Sequence, residues 1–123
     1  MMGGWYCANF THDEMKCPCC DRQAMDERFM ARLQRAREIA GTPFDIRNGS
    51  GWRCVEHNRE IGGVPESSHL TGHAVDIPVW SSEQRFAIIN GLIKAGFKRV
   101  GIAKTFIHAD DSVEKSQHIM WMY

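Results

Sequence analysis

Between residues 26 and 40 the apolar positions fall at helical spacing. Phe29, Met30, Leu33, Ala36, Ile39 and Ala40 make one stripe, while Arg28, Arg32, Arg35 and Glu38 can face water. Asp26 is a good N-cap, and Gly41 with Pro43 ends the run. A second helix is expected to open with a capping box, Ser81 with Gln84, to bury Phe86, Ile89, Leu92 and Ile93, and to close at Gly96. Residues 44–47 alternate apolar and polar as a short half-buried strand would, and Asn48, Gly49, Ser50 and Gly51 then turn the chain. Residues 52–68 read as loop with a short helical turn near Val55 to Ile61, broken by Gly62, Gly63 and Pro65. Residues 74–79 form a strand whose end Pro78 places at an edge or bulge, and residues 97–102, 105–109 and 119–123 have the β-branched and aromatic content of three more. Residues 1–24 lack periodicity and read as an irregular arm. The order helix, strand, strand, helix, then three strands predicts an α+β domain with helices on one side of an antiparallel sheet.

Composition narrows this picture. A chain of 123 residues with 43% apolar content can bury roughly two thirds of its unfolded surface, so a single domain over 1–123 is expected to fold without crosslinks. Fifteen basic residues balance fifteen acidic ones without a basic run, which argues against nucleic acid as a partner. The first residues have neither a basic start nor a sustained apolar stretch, and no segment reaches membrane-spanning length. The expectation is a soluble monomer without an export signal of its own or insertion into a membrane.

The chemistry concentrates in Ser67-Ser68-His69-Leu70-Thr71-Gly72-His73-Ala74-Val75-Asp76 and, later, Phe106-Ile107-His108-Ala109-Asp110. Together these supply His69, Asp76 and His108, two imidazoles and a carboxylate. That set suits a borderline-soft divalent ion such as zinc and leaves a fourth position for water. On a strand Asp76 points opposite Val75 and Ile77, and a carboxylate on that face needs solvent or a cation. Phe106, His108 and Asp110 share a face by the same period. Asp110 is therefore a candidate either for the catalytic base or for a carboxylate that orients a histidine. His73 lies four residues after His69, as in H-E-x-x-H sites, but residue 70 is Leu and Gly72 opposes a helix. His12, His57 and His118 have no partner at a useful spacing and read as structural. Arg53 is the best loop cation for a substrate carboxylate or an oxyanion, because its planar fork matches a carboxylate bidentately.

Five cysteines are many for this length: Cys7, Cys17, Cys19, Cys20 and Cys54. Cys17 and Cys20 alone have Cys-x-x-Cys spacing, whereas a four-sulfur zinc site usually pairs two such units. Buried thiols, a disulfide from the Cys17 to Cys20 group to Cys54, and a second structural metal all remain open. A cysteine-based redox or metal-sensing role rests on this arm alone.

The runs Ser50-Gly51-Trp52-Arg53-Cys54, His57-Asn58, Gly62-Gly63, residues 68–76, Gly96-Phe97, Gly101-Ile102, residues 106–110 and Trp121-Met122-Tyr123 resemble the small zinc D-alanyl-D-alanine carboxypeptidase-like peptidases. These share a metallopeptidase fold group with lysostaphin-type enzymes and the hedgehog signalling domain. The resemblance covers nearly the whole chain. It implies zinc on His69, Asp76 and His108, substrate contacts from Arg53 and Ser68, and the peptidoglycan stem peptide of the bacterial wall as partner. It further implies hydrolysis either at D-Ala-D-Ala or within the stem, as in phage or prophage lysins that are made in the cytoplasm and act at the wall. In better-studied relatives the catalytic acid stands three residues before the last histidine. Here that position is Thr105, and Asp110 is the nearest acidic substitute. The competing expectation is a zinc-stabilised module that binds wall peptide or a protein partner without catalysis.

Overall fold

A computed structural model describes residues 4–47 and 49–123; Met1 to Gly3 of the expected arm and Asn48 of the expected turn lie outside the described residues. Helix α1 runs Glu27–Ala40, α2 Val55–Glu60 and α3 Ser82–Lys94, with short 3-10 turns at Asp13–Met15 and Ser68–Thr71. Four strands, β1 Ala74–Pro78, β2 Arg99–Ile102, β3 Phe106–Asp110 and β4 Ile119–Met122, form one sheet in the order β1-β3-β2-β4. The expected α+β class holds. The sheet, however, is mixed: β1 and β2 flank β3 antiparallel, but β4 joins the outer edge of β2 in parallel. Residues 111–118 carry the chain past β2, so the nearest strand in sequence is not the nearest in space.

Local chemistry sets the helix ends. Asp26 accepts the Phe29 N–H at 2.9 Å, and Gly41 closes α1 at φ 67° with its N–H on Arg37. Ser81 caps α3 by accepting from the Gln84 N–H at 3.1 Å. The return bond of the expected capping box goes one residue further out, from the Trp80 N–H to Gln84 Oε1 at 2.6 Å.

Phe29, Met30, Leu33 and Ala36 of α1 pack with Ile88 and Leu92 of α3 against Val75, Ile77, Val100, Ile107 and Ala109 of the sheet, all at most 1% exposed. The buried face of α3 differs from the expected one. Ile88, Gly91 and Leu92 turn inward, while Phe86 and Ile93 are exposed. Gly91 explains the rotation, since a methyl there would lie 2.5 Å from the Ala36 carbonyl. The two helix backbones meet where no side chain intervenes, a contact that hydropathy does not register.

Residues 44–47 form no strand. Phe44 and Ile46 are buried and Asp45 and Arg47 exposed, as the alternation implies, but the Ile46 N–H bonds back to Phe44 and no ladder forms. The period reports a segment with one covered side, not its hydrogen-bond partner. What covers it is the arm: Phe10 lies 6.3 Å from Phe44 between ring centres, and Trp5, Cys7 and Met15 are buried in the same core. His12 serves this packing, stacked on Trp5 and bonded to Gln23. Among the described residues no helix is long and apolar enough to cross a membrane.

Candidate metal centre

The face of the sheet turned away from α1 and α3 carries a polar row. Register places Asp76 of β1 beside His108 of β3, His108 beside Gly101 of β2, and Gly101 beside Trp121 of β4. The next row sets Arg99 beside Asp110. Strand alternation thus separates Val75, Ile77, Ile107 and Ala109, which enter the core, from the groups that can do chemistry.

His69 reaches this row from the 3-10 turn. Ser67 Oγ accepts the His69 N–H at 3.2 Å, and Gly72, at φ 78°, turns the chain into β1. A Cβ on Gly72 would collide with the backbone of Ala24, Met25 and Asp26, so only glycine allows this turn to press on the start of α1. Nδ1 of His69 donates to the Gly51 carbonyl at 2.8 Å, which leaves the Nε2 lone pair facing Asp76 Oδ2 at 3.4 Å. On the other side His108 Nδ1 lies 2.9 Å from Asp76 Oδ1, and His108 Nε2 lies 3.0 Å from Asp110 Oδ2.

These three side chains converge as the sequence implies, with their ligand atoms within 4.8 Å of one another. Donors at about 2.0–2.1 Å from a tetrahedral zinc stand about 3.3 Å apart, and the separations from Asp76 to His69 and to His108, 3.4 and 2.9 Å, lie either side of that. Charge tells the same story. His108 must hold a proton on each nitrogen to satisfy two carboxylates, and the proton on Nδ1 occupies the place a cation would take. Burial opposes charge on His108, but Asp110 and then Asp76 together raise its pKa. Burial likewise opposes charge on Asp76, yet the hydrogen bond from His108 holds it well below the usual carboxylate range. The residues present therefore fit a divalent ion, with Nε2 of His69, Nδ1 of His108 and the Asp76 carboxylate as its donors.

Asp110 stands behind His108, not in front of it. Only 2% exposed, it receives His108 Nε2–H and the Ser112 N–H and pairs with Arg99 at 3.2 Å. Burial would raise its pKa, but His108, then Ser112 and Ser68, bring it down to about 2. Ser68 is also buried, and its hydroxyl accepts from Lys115 Nζ at 2.9 Å. Arg53 lines the site beside Asp76. It donates to Gly49 and Asn58 and reaches Asp76 Oδ2 at 3.3 Å; burial lowers its pKa and Asp76 opposes that. His73 takes no part, since it bonds Asp111 at 2.7 Å beside Arg32.

A cleft of about 440 Å³ opens over these groups. Arg99, Lys115, Trp121 and Tyr123 line it, and the sequence reading assigned none of them a role. Trp121 lies 5.5 Å from the His108 ring, over Gly101, where a Cβ would meet the indole at 2.7 Å. Pairing residues 97–102 with 105–109 as a hairpin would have put Arg99 opposite Asp110. For Lys115 and Tyr123 no local pattern gives a signal.

A sheet whose polar face gathers two imidazoles and a carboxylate around one position can hold a divalent ion there. A family model described as Peptidase M15 matches residues 8–110, and the chain belongs to that family. A search of the curated proteins finds no match. The matched span contains Arg53, His69, Asp76, His108 and Asp110, and peptidases of this family are generally zinc-dependent.

Proposed function

We propose that this protein is a zinc metallopeptidase that cleaves peptide bonds in the stem peptides of bacterial peptidoglycan. The observation that carries the reading is the shared focus of His69, Asp76 and His108, each imidazole with its far nitrogen bonded to a protein acceptor so that the near nitrogen is turned to the ion position. A zinc ion held by these three residues would supply Lewis-acid chemistry, polarising a carbonyl and making a bound water acidic at a pH of about 7. Arg53, fixed by Gly49 and Asn58, offers its guanidinium to a substrate carboxylate or the developing oxyanion. Asp110 acts as a positioning residue, holding the His108 ring with Nδ1 outward. Ser68 supports Asp110 and Lys115, and its burial leaves substrate contact to Lys115 at the cleft wall.

The cleft shares Asp76 and Phe106 with one neighbouring depression and Ser68 and Lys115 with another. Two adjoining depressions give a longer chain places to lie, and on that ground we favour an endopeptidase over a D-Ala-D-Ala carboxypeptidase. Its place of action is then the cell wall, as for a phage or prophage lysin. The test is digestion of defined muropeptides by zinc-loaded protein, with products read by mass spectrometry. New amino and carboxyl ends inside the stem are expected. Folded, zinc-bound protein that released no new ends would overturn the proposal.

One observation favours a second reading. Among the described residues lining the cleft, Asp76 and Asp110 alone carry carboxylates, the first in the ligand set and the second engaged behind His108. A zinc-stabilised module that holds wall peptide without cutting it would look the same, and the digestion separates the two.

A further inference from the structure

Fold and metal centre leave four cysteines without a use. Cys17, Cys19 and Cys20 belong to a tight turn in the arm, closed by the Cys17 N–H on the Arg22 carbonyl at 2.7 Å and the Asp21 N–H on the Cys17 carbonyl at 2.8 Å. Asp21 takes φ 61° to make that turn. Cys54 comes from the other side as the N-cap of α2, where its sulfur accepts the His57 N–H at 3.4 Å. All five thiols are unpaired, and Cys7 lies apart, bonded to the Met30 carbonyl.

The Sγ atoms of Cys17, Cys19, Cys20 and Cys54 lie within 4.8 Å of one another. Cys17 is 3.8 Å from Cys19 and 3.6 Å from Cys54, and Cys19 is 3.1 Å from Cys54. Four thiolates at about 2.3 Å around a tetrahedral zinc stand about 3.8 Å apart. The separations from Cys17 to Cys19 and to Cys54 are already nearly that, and Cys19 and Cys54 stand closer. A disulfide between any two would leave the other two thiols crowded against it with no role. The surroundings are suited to the net negative charge that four thiolates and one dication make: Arg22 hydrogen-bonds Cys20, and the His57 N–H donates to the Cys54 sulfur.

We propose that Cys17, Cys19, Cys20 and Cys54 bind a second, structural zinc ion, separate from the centre at His69, Asp76 and His108. Spacing along the chain does not reveal this site, because its fourth ligand comes from the loop before α2 and not from a second Cys-x-x-Cys unit. Its role follows from what it joins. Cys54 follows Arg53 directly, and the same loop rests on the arm through the Trp52 N–H on the Met15 carbonyl at 3.1 Å and Gly51 pressed against Met15. Zinc at the cysteines clamps the arm to the segment that presents Arg53 and the Gly51 carbonyl to the catalytic face.

Cobalt(II) is the probe. Protein kept reduced, with five thiols titratable after denaturation, is stripped of metal and loaded with cobalt alone. Two ions per chain are expected, one giving the intense thiolate-to-metal charge-transfer absorption and strong visible bands of a tetrahedral sulfur site. The His69→Ala/His108→Ala double variant should keep one ion with those bands unchanged, and Cys19→Ser should lose most of their intensity. Reduced native protein that took up cobalt without thiolate absorption would overturn the proposal, as would a histidine double variant that folds but binds no ion. The native spectrum decides the matter even if Cys19→Ser does not fold. Peptidase activity enters none of these readouts, so the proposals on cleavage and on the cysteines stand or fall separately.

Discussion

At the residue scale, His108 between Asp76 and Asp110 sets how the catalytic centre responds to pH. Its raised pKa makes protons competitors of the metal, so zinc affinity should fall about tenfold per pH unit once the pH drops below that raised value. Zinc titrations against a chelator across the acid range check this, and a flat profile would deny His108 a place in the ligand set. In the metal-free protein the two partners pull in opposite directions. The stabilisation from His108 is present below its unfolded pKa and is lost as pH rises through the raised folded value. That from Asp110 is present above the ordinary value near 3.8 and is lost as pH falls through about 2. Asp110→Asn should keep the zinc stoichiometry but weaken affinity by roughly 10–100-fold. Unchanged affinity with lost turnover would instead make Asp110 the base. Asp76 and His108 could be read from the chain because a two-residue period states which side of a strand a side chain takes. The position of Asp110 on the far nitrogen of His108 depends on ring orientation, which no spacing encodes.

Helix α3 and strand β2 show where glycine decides geometry at the scale of elements. Gly91→Ala should destabilise the fold by about 1–3 kcal/mol in urea unfolding, since the methyl meets the Ala36 carbonyl and the helices must part. Phe86→Ala, on the exposed face of the same helix, should change stability by no more than about 0.5 kcal/mol. If the two variants behaved alike, the packed face would be misassigned. Gly101→Ala should push Trp121 off His108, shifting tryptophan emission and near-ultraviolet dichroism while the helices persist. Helices α1, α2 and α3 and strands β1 to β4 were legible to within a few residues because caps, breakers and apolar runs are local. The face of α3 was not, because Gly91 contributes through absence of bulk. Nor was the parallel pairing of β4, because residues 111–118 carry no mark of the direction they take.

Over the whole molecule, the arm belongs to the working parts. Met15 is fully buried, and its backbone carbonyl and side chain support Trp52 and Gly51. Met15→Ala should cost about 2–5 kcal/mol and lower turnover more than zinc content, because the loop bearing Arg53 loses its seat. Calorimetry beside metal analysis checks the pair of effects. The irregular sequence of the arm gave no hint of this duty, which arises from contacts between residues far apart in the chain. The cysteines were visible, but their common focus becomes apparent only when the loop before α2 is brought back onto the arm.

The row Asp76, His108, Gly101, Trp121 crosses every strand of the sheet once. Adding or deleting a single residue within any strand would turn that strand's contribution to the opposite side and dismantle the centre, whereas the crossover of residues 111–118 lies outside the ladder. Length engineering, such as grafting a peptide tag or a wall-anchoring segment, therefore belongs outside the four strands and clear of Asp111, Ser112 and Lys115, whose contacts tie the crossover to the centre.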